Sequence, residues 1–308
     1  MKNSRKISIC IPVYNGAKTI QNLVHEVREK LNFYELEVIL VNDGSKDDSE
    51  SVCIELSQKY DFIKFIALRK NFGEHNAVLC GLNYASGDYV VIIDDDFQNP
   101  PSEILKLIEK AECDDCDVVY SKYSKKKHHW LRNIGRKFND MVATWLLDKP
   151  KGLYLSSFKL INKEVVAEII KYKGPFPYID GLLLRVTDNI QSVTVEHSKR
   201  EAGESNYTLG KLISLWLNMF VNFSIKPLRL ALVSGLIISL LSLIVGIFFI
   251  FEKLANPQLS VGWTSLMVSI LFLSGVQLMF MGLLGEYLGK QYLDQNKTPL
   301  SVIKKEYL

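Results

Sequence analysis

Residues 94–98 read Asp-Asp-Asp-Phe-Gln and follow directly on the apolar run Val90–Ile93. Three adjacent carboxylates repel one another unless a cation shares them. On an extended segment Asp94 and Asp96 point the same way and Asp95 the other. Hard oxygen ligands at this spacing suit Mg²⁺ or Mn²⁺ bridging to a diphosphate. A plainer reading is a solvated acidic turn capping a helix that starts near Ser102, and the triplet alone does not separate the two.

The elements that must position these acids are legible over residues 1–125. Ile7 to Val13, Leu36 to Val41, Phe62 to Leu68, Tyr89 to Ile93 and Asp117 to Tyr120 read as strands. Thr19 to Leu31, Asp47 to Tyr60, Glu74 to Ala85 and Ser102 to Ala111 read as helices, the second opened by the cluster Ser45/Asp47/Asp48. Strands alternating with helices predict an α/β fold with a doubly wound, mainly parallel sheet. Such sheets place ligands beyond the C-terminal ends of their strands. There the chain carries Pro12-Val13-Tyr14-Asn15, Asn42-Asp43-Gly44-Ser45, Arg69-Lys70-Asn71-Phe72-Gly73 and the acids. Asp43 can accept a hydrogen bond from a pyrimidine N–H or a ribose hydroxyl, and Gly44 and Gly73 permit tight turns or close approach to a ligand. Asn-Asp-Gly-Ser by itself is an ordinary turn; the joint arrangement with the acids gives it meaning. No G-x-G-x-x-G and no P-loop lysine follows the first strand, which excludes a dinucleotide-binding Rossmann domain and a P-loop kinase.

A net charge of +3 over 308 residues is too weak a bias to predict a nucleic-acid partner. The cysteines (Cys10, Cys53, Cys80, Cys113, Cys116) are odd in number and scattered, as expected of reduced cytoplasmic thiols. Cys113 and Cys116 form a C-x-x-C without a second pair at zinc spacing. Lys2, Arg5 and Lys6 precede only a short strand, which does not read as a signal peptide. Composition then shifts near residue 227. Leu228 to Phe251 and Trp263 to Leu288 are apolar apart from Arg229, Gln277 and Glu286, and each is long enough to cross a hydrocarbon core of roughly 30 Å. Lys226 and Arg229 flank the first, and Lys290, Lys297, Lys304 and Lys305 follow the second. That bias predicts both ends, and the large N-terminal domain, on the cytoplasmic side. Leu209 to Ile225 suits an interfacial helix, or else a core helix of the soluble domain. The expected division is 1–207 for the N-terminal α/β domain, 208–226 for a juxtamembrane segment, 227–290 for a membrane hairpin and 291–308 for a cytoplasmic tail.

Ile-Pro-Val-Tyr-Asn, Val-Asn-Asp-Gly-Ser, Arg-Lys-Asn-Phe-Gly-Glu-His and Ile-Asp-Asp-Asp-Phe-Gln-Asn-Pro-Pro resemble the motifs of inverting family 2 glycosyltransferases with the GT-A fold. Arg200-Glu201-Ala202-Gly203-Glu204-Ser205-Asn206-Tyr207 and the paired C-terminal apolar helices are similar to those of the polyprenyl-phosphate glycosyltransferases within that family. The Q-x-x-R-W motif of processive polysaccharide synthases is absent. The resemblance implies transfer of one sugar from a nucleotide sugar, UDP-linked, to undecaprenyl or another polyprenyl phosphate, in a multi-pass protein of the bacterial inner membrane. It implies that Asp94, Asp96 and Gln98 hold Mg²⁺ or Mn²⁺. It further implies that Pro12, Tyr14, Asn15, Asp43, Asn71, Gly73 and Asp95 form the nucleotide pocket, and that Arg200 and Ser205 contact phosphate. Two anionic substrates need cations to bring them together, and Lys122, Arg132, Arg136 and Lys137 are the candidates for the acceptor phosphate. Lys125-Lys126-Lys127-His128-His129 reads either as a contact for anionic headgroups or as a solvated loop.

One position departs from the pattern. Ser157 precedes Phe158-Lys159-Leu160, where several relatives carry an Asp; Asp180 is a substitute to consider, or else a helix-capping acid. The competing functional classes are a glycosyltransferase acting on a lipid hydroxyl such as diacylglycerol, and a non-catalytic membrane scaffold. The first would need a true catalytic base, and the second would not need the acids. A homo-oligomer is compatible with the sequence.

Overall fold

In a computed structural model of the chain, residues 5–123, 144–145, 147, 149–196, 226–255 and 262–308 are described. They belong to two compact units, 1–208 together with 297–308, and 209–296.

In the first unit the apolar runs become strands and the amphipathic stretches helices. The order is β1 (Lys6–Val13), α1 (Ile20–Lys30), β2 (Glu35–Asn42), α2 (Ser49–Lys59), β3 (Ile63–Leu68), α3 (Glu74–Leu82), β4 (Tyr89–Ile92), α4 (Ile104–Asp114), β5 (Val118–Tyr123), β6 (Lys159–Asn162), α5 (Lys163–Ile169), α6 (Ile179–Val186), β7 (Ile190–Val195) and β8 (Ile303–Tyr307). Period 3.6 is visible in the buried faces of α1 (Ile20, Leu23, Val24, Val27) and α4 (Ile104, Leu107, Ile108, Ala111). Period 2 is visible in β2, whose Val38 and Leu40 join one core while Ile39 and Val41 join another on the opposite face. Both faces of the sheet are therefore covered, as a doubly wound sheet requires.

The eight strands lie in the order β7-β5-β6-β4-β1-β2-β3-β8. β1 is parallel to β2 and β4, β2 to β3, and β5 to β7, whereas β6 runs antiparallel to β4 and β5 and β8 antiparallel to β3. The parallel strands β1 to β4 bring their C-terminal ends to one edge. Because β6 is reversed, the residues preceding it arrive at that same edge, with Ile92 opposite Lys159. At the other end of the sheet a buried carboxylate ties strands together. Glu37 accepts from Ser8 Oγ (2.6 Å), Ser86 N (2.9 Å) and Ser86 Oγ (2.8 Å) and pairs with Lys64 (2.8 Å). Burial alone would raise its pKa, but the bonds from Lys64, Ser8 and Ser86 bring it down to about 2.

β8 lies within the stretch read as a tail. Ile303 and Tyr307 are half-buried while Lys304, Lys305 and Glu306 are exposed. Tyr307 pairs with Phe65, Arg69 N–H donates to Val302 O (2.8 Å), and Lys304 and Lys305 both pair with Glu50. A five-residue strand rich in lysine is a common way to close a sheet edge, and it is too short for a sequence pattern to announce.

The second unit contains α7 (Lys226–Ala255) and α8 (Trp263–Gln295), of 30 and 33 residues. At 1.5 Å per residue each is about 45 Å long or more. Leu240 (61 %), Phe248 (62 %) and Leu278 (67 %) are exposed, so the apolar surface runs around the helices without a covering layer among the described residues. Both contain spans long and apolar enough to cross a membrane, Lys226–Phe249 and Val268–Gln295. The expected interfacial helix at 209–225 lies outside the described residues.

Candidate active site

The four strand-end loops and the residues before β6 enclose a cavity of about 1010 Å³. Pro12, Tyr14, Asn15, Asp43, Asn71, Gly73, Asp94, Asp95, Asp96 and Gln98 all line it, so every expected nucleotide or metal residue within the described chain meets at one place.

Backbone geometry explains how. Asp43 is 3 % exposed, and its two carboxylate oxygens accept from Phe72 N (2.7 Å) and Gly73 N (2.8 Å). The loop after β2 thereby clamps the loop after β3. Gly44, at φ +64°, is needed at the crossing: a Cβ there would stand 2.6 Å from Asn71 N. The pKa of Asp43 is raised, burial outweighing the two N–H bonds. Asn15 takes the left-handed conformation (φ +57°) while its N–H donates to Ser45 Oγ (3.0 Å) and its Oδ1 accepts from Lys46 N (2.9 Å). Phe97 is also left-handed, at φ +58°. For a bulky residue this is a real cost, of about 1–3 kcal/mol, stored in the loop that carries the acids.

β4 ends at Ile92 and the chain turns at Asp95 and Asp96, so the extended alternation expected of the three acids does not hold and each finds its own partner. Asp95 turns back and accepts from Tyr14 N (3.2 Å). Burial pushes its pKa up to about 7, opposed by the Tyr14 bond and reinforced by the charges of Asp94 and Asp96. Asp96 accepts from Gln98 N (3.0 Å), and Asp94 accepts from Ser157 Oγ (2.5 Å). Ser157 therefore gives Asp94 a hydrogen bond where an acid would have added like charge. No group of three or more His, Cys, Asp or Glu that could hold a metal occurs among the described residues. Mg²⁺ is commonly bound by one or two carboxylates plus substrate phosphates, and Asp94 and Asp96 with a diphosphate fit that set.

Other expected residues fall elsewhere. Lys122 is exposed on β5 and absent from the cavity wall, whereas the adjacent Tyr123 lines it, as strand alternation dictates. Asp180 is no free substitute for an acid at 157, since its buried carboxylate pairs with Lys159 and accepts from Tyr120 Oη (2.8 Å). Arg132, Arg136, Lys137, Arg200 and Ser205 lie outside the described residues. The wall also includes Lys18 and Tyr154, Asp47 from the helix-opening cluster, and Glu74 from the Arg-Lys-Asn-Phe-Gly-Glu-His motif, none of which is assigned to the site from sequence alone. Of these, Glu74 was visible as a helix-opening acid directly after the loop glycine. Its pKa is raised to about 7 by desolvation and then by the charge of Asp94.

This charge arrangement predicts a pH-dependent response to Mn²⁺. Without a cation Asp95 keeps its proton in the folded protein up to about pH 7, against about 4 for an ordinary Asp in the unfolded chain. The folded state then binds more protons across that window, so its contribution to stability is present below about pH 4 and is lost as pH rises through about 7. A divalent ion offsets the charge that appears. Mn²⁺ should raise the melting temperature by a few degrees more near pH 8 than near pH 5. An equal rise at both, by differential scanning fluorimetry, would contradict this.

A mixed, doubly wound sheet whose parallel strands end at an Asp-x-Asp pair beside such a pocket defines a glycosyltransferase of the GT-A architecture. The chain belongs to glycosyl transferase family 2, whose profile matches residues 8–169, and residues 226–290 match the GtrB C-terminal hairpin. It is 34 % identical over 313 residues to the SfII prophage-derived bactoprenol glucosyl transferase of Shigella flexneri, across 98 % of each chain. It is 30 % identical over 306 residues to the undecaprenyl-phosphate 4-deoxy-4-formamido-L-arabinose transferase of Serratia proteamaculans, across 98 % of this chain and 94 % of that one. The glucosyl-3-phosphoglycerate synthase of Mycobacterium tuberculosis, solved with Mn²⁺, UDP and phosphoglyceric acid, shares the fold. Its TM-score is 0.53 at 20 % identity, over 70 % of this chain and 76 % of that one.

Proposed function

We propose that this glycosyltransferase moves one sugar from a UDP-linked donor to a polyprenyl phosphate, with inversion at C1, at the cytoplasmic face of a bacterial inner membrane. The observation that carries this reading is full-length similarity, through both the cavity-bearing unit and the hairpin, to proteins named for transfer to bactoprenol or undecaprenyl phosphate.

The chemistry suits the residues present. A phosphate monoester has a second pKa of about 6, so the acceptor oxygen is already anionic near neutral pH and needs no strong base. Position 157 accordingly carries a hydroxyl that orients Asp94 rather than a carboxylate. What the site must supply is alignment and compensation of charge. The described wall holds six acids (Asp43, Asp47, Glu74, Asp94, Asp95, Asp96) and one lysine (Lys18). A dianionic diphosphate would be repelled by such a wall unless cations entered with it. Asp94 and Asp96 would hold Mg²⁺ or Mn²⁺, whose charge offsets that of the departing nucleoside diphosphate. Arg132, Arg136, Lys137 and Arg200 are the protein cations proposed to approach the acceptor and the phosphates. β8 supports the topology: the chain leaves the catalytic unit before α7 and returns to the same sheet after α8, which fits a two-span hairpin with both ends on one side.

The test is product analysis. Purified protein with labelled UDP-sugars and undecaprenyl phosphate should yield an organic-soluble product that mild acid hydrolyses, as a sugar phosphodiester does. Label appearing instead on diacylglycerol, in an acid-stable linkage, would overturn the proposed acceptor.

A further inference from the structure

Every wall carboxylate but one is engaged by the protein. Asp43 is held by Phe72 and Gly73, Asp47 by Ser49 and Ala17, Asp94 by Ser157, Asp95 by Tyr14 and Asp96 by Gln98. Glu74 makes no hydrogen bond or ion pair among the described residues, although it lines the cavity beside Asp94. Lys159, whose positive charge acts on Glu74, is committed to Asp180.

Its position is nevertheless fixed from both sides. Gly73, immediately before it, donates its N–H to Asp43, which anchors the backbone where α3 begins. His75, immediately after it, packs its ring edge-on against Tyr178 at 5.1 Å, beside α6. The glutamate thus stands on the cavity wall between two anchored neighbours, exposed and without a protein partner among the described residues. In its ionised form the carboxylate accepts hydrogen bonds and donates none. A phosphate would be repelled by it, whereas an uncharged ligand rich in hydroxyl donors would satisfy both of its oxygens.

Resting on the glycosyltransferase reading above, we infer that Glu74 reads the transferred sugar, accepting hydrogen bonds from two of its ring hydroxyls while the sugar's phosphate lies toward Asp94. Glu74 is then a specificity-determining residue of the donor site, distinct from the groups that hold the nucleoside and the metal.

The test separates the sugar from the rest of the donor. Dissociation constants are measured by calorimetry with Mn²⁺, without lipid acceptor, for UDP and for whichever of UDP-glucose, UDP-galactose and UDP-N-acetylglucosamine the full-length wild-type protein binds best. Glu74→Gln and Glu74→Ala should leave UDP binding within about threefold of wild type and weaken the UDP-sugar by roughly ten- to a hundredfold, the range of a pair of charged hydrogen bonds. Retained UDP binding also reports that each variant is folded. An unchanged ratio of UDP to UDP-sugar affinity in both variants would overturn the inference while leaving the glycosyltransferase reading intact. Equal loss of UDP and UDP-sugar binding in Glu74→Gln would overturn it too, by making Glu74 a metal or phosphate-site residue. A wild-type protein that binds no uridine nucleotide would overturn the donor reading, and this inference with it.

Discussion

Asp96→Ala is expected to lower turnover at least ~1000-fold while leaving the protein folded. The size follows from the wall. With six carboxylates facing a diphosphate, removal of a metal-holding oxygen costs the transition state the compensation it most needs, as charge builds on the leaving group. The fold should respond little, because Asp96 is a half-buried turn residue beyond the end of β4, where it accepts from Gln98 N (3.0 Å) two residues along the chain. Melting temperature should therefore stay within a few degrees of wild type, and Mn²⁺ should lose its power to strengthen UDP binding. Turnover near the wild-type level in the purified variant would sink the metal assignment.

Asp43→Ala should weaken UDP binding about a hundredfold or more and destabilise the catalytic unit by about 2–4 kcal/mol. Both effects come from one carboxylate that accepts from Phe72 and Gly73 and is almost wholly buried. Truncation orphans two N–H donors and frees the loop after β3, whose Asn71 and Gly73 face the cavity. Asp43→Asn should recover little, since its amide presents a donor where a second acceptor is needed. Calorimetric titration and urea unfolding read the two effects separately. A variant with weakened binding but unchanged stability would show that Asp43 meets only the ligand and does not organise the loop.

The sequence made the site more legible than the sheet that frames it. Strand-end loops at one edge followed from the alternation of apolar runs and helices, and Pro12, Asp43, Gly73 and Asp96 meet in the cavity for that reason. The reversed β6 was harder to see, since four residues, Lys159–Asn162, give no period to count. Yet it is this reversal that delivers Ser157 to Asp94. β8 was hidden by distance in the chain: its partner β3 lies more than two hundred residues earlier, across the two apolar helices. Asp180 is ambiguous in one dimension, because a helix-opening acid and a buried ion-pair partner of Lys159 look alike there. Glu74, though part of the Arg-Lys-Asn-Phe-Gly-Glu-His motif, shares that ambiguity. An acid at a helix start is expected whether or not it faces a ligand, and only the engaged state of its neighbours sets it apart.

The most direct test of the central claim is release of nucleoside diphosphate by detergent-purified protein, measured across a panel of UDP- and GDP-sugars with and without undecaprenyl phosphate. Release from one UDP-sugar that depends on the lipid phosphate and on Mg²⁺ or Mn²⁺ is the predicted result. Release that proceeds equally without the lipid, or from no donor when it is present, would contradict transfer to a polyprenyl phosphate.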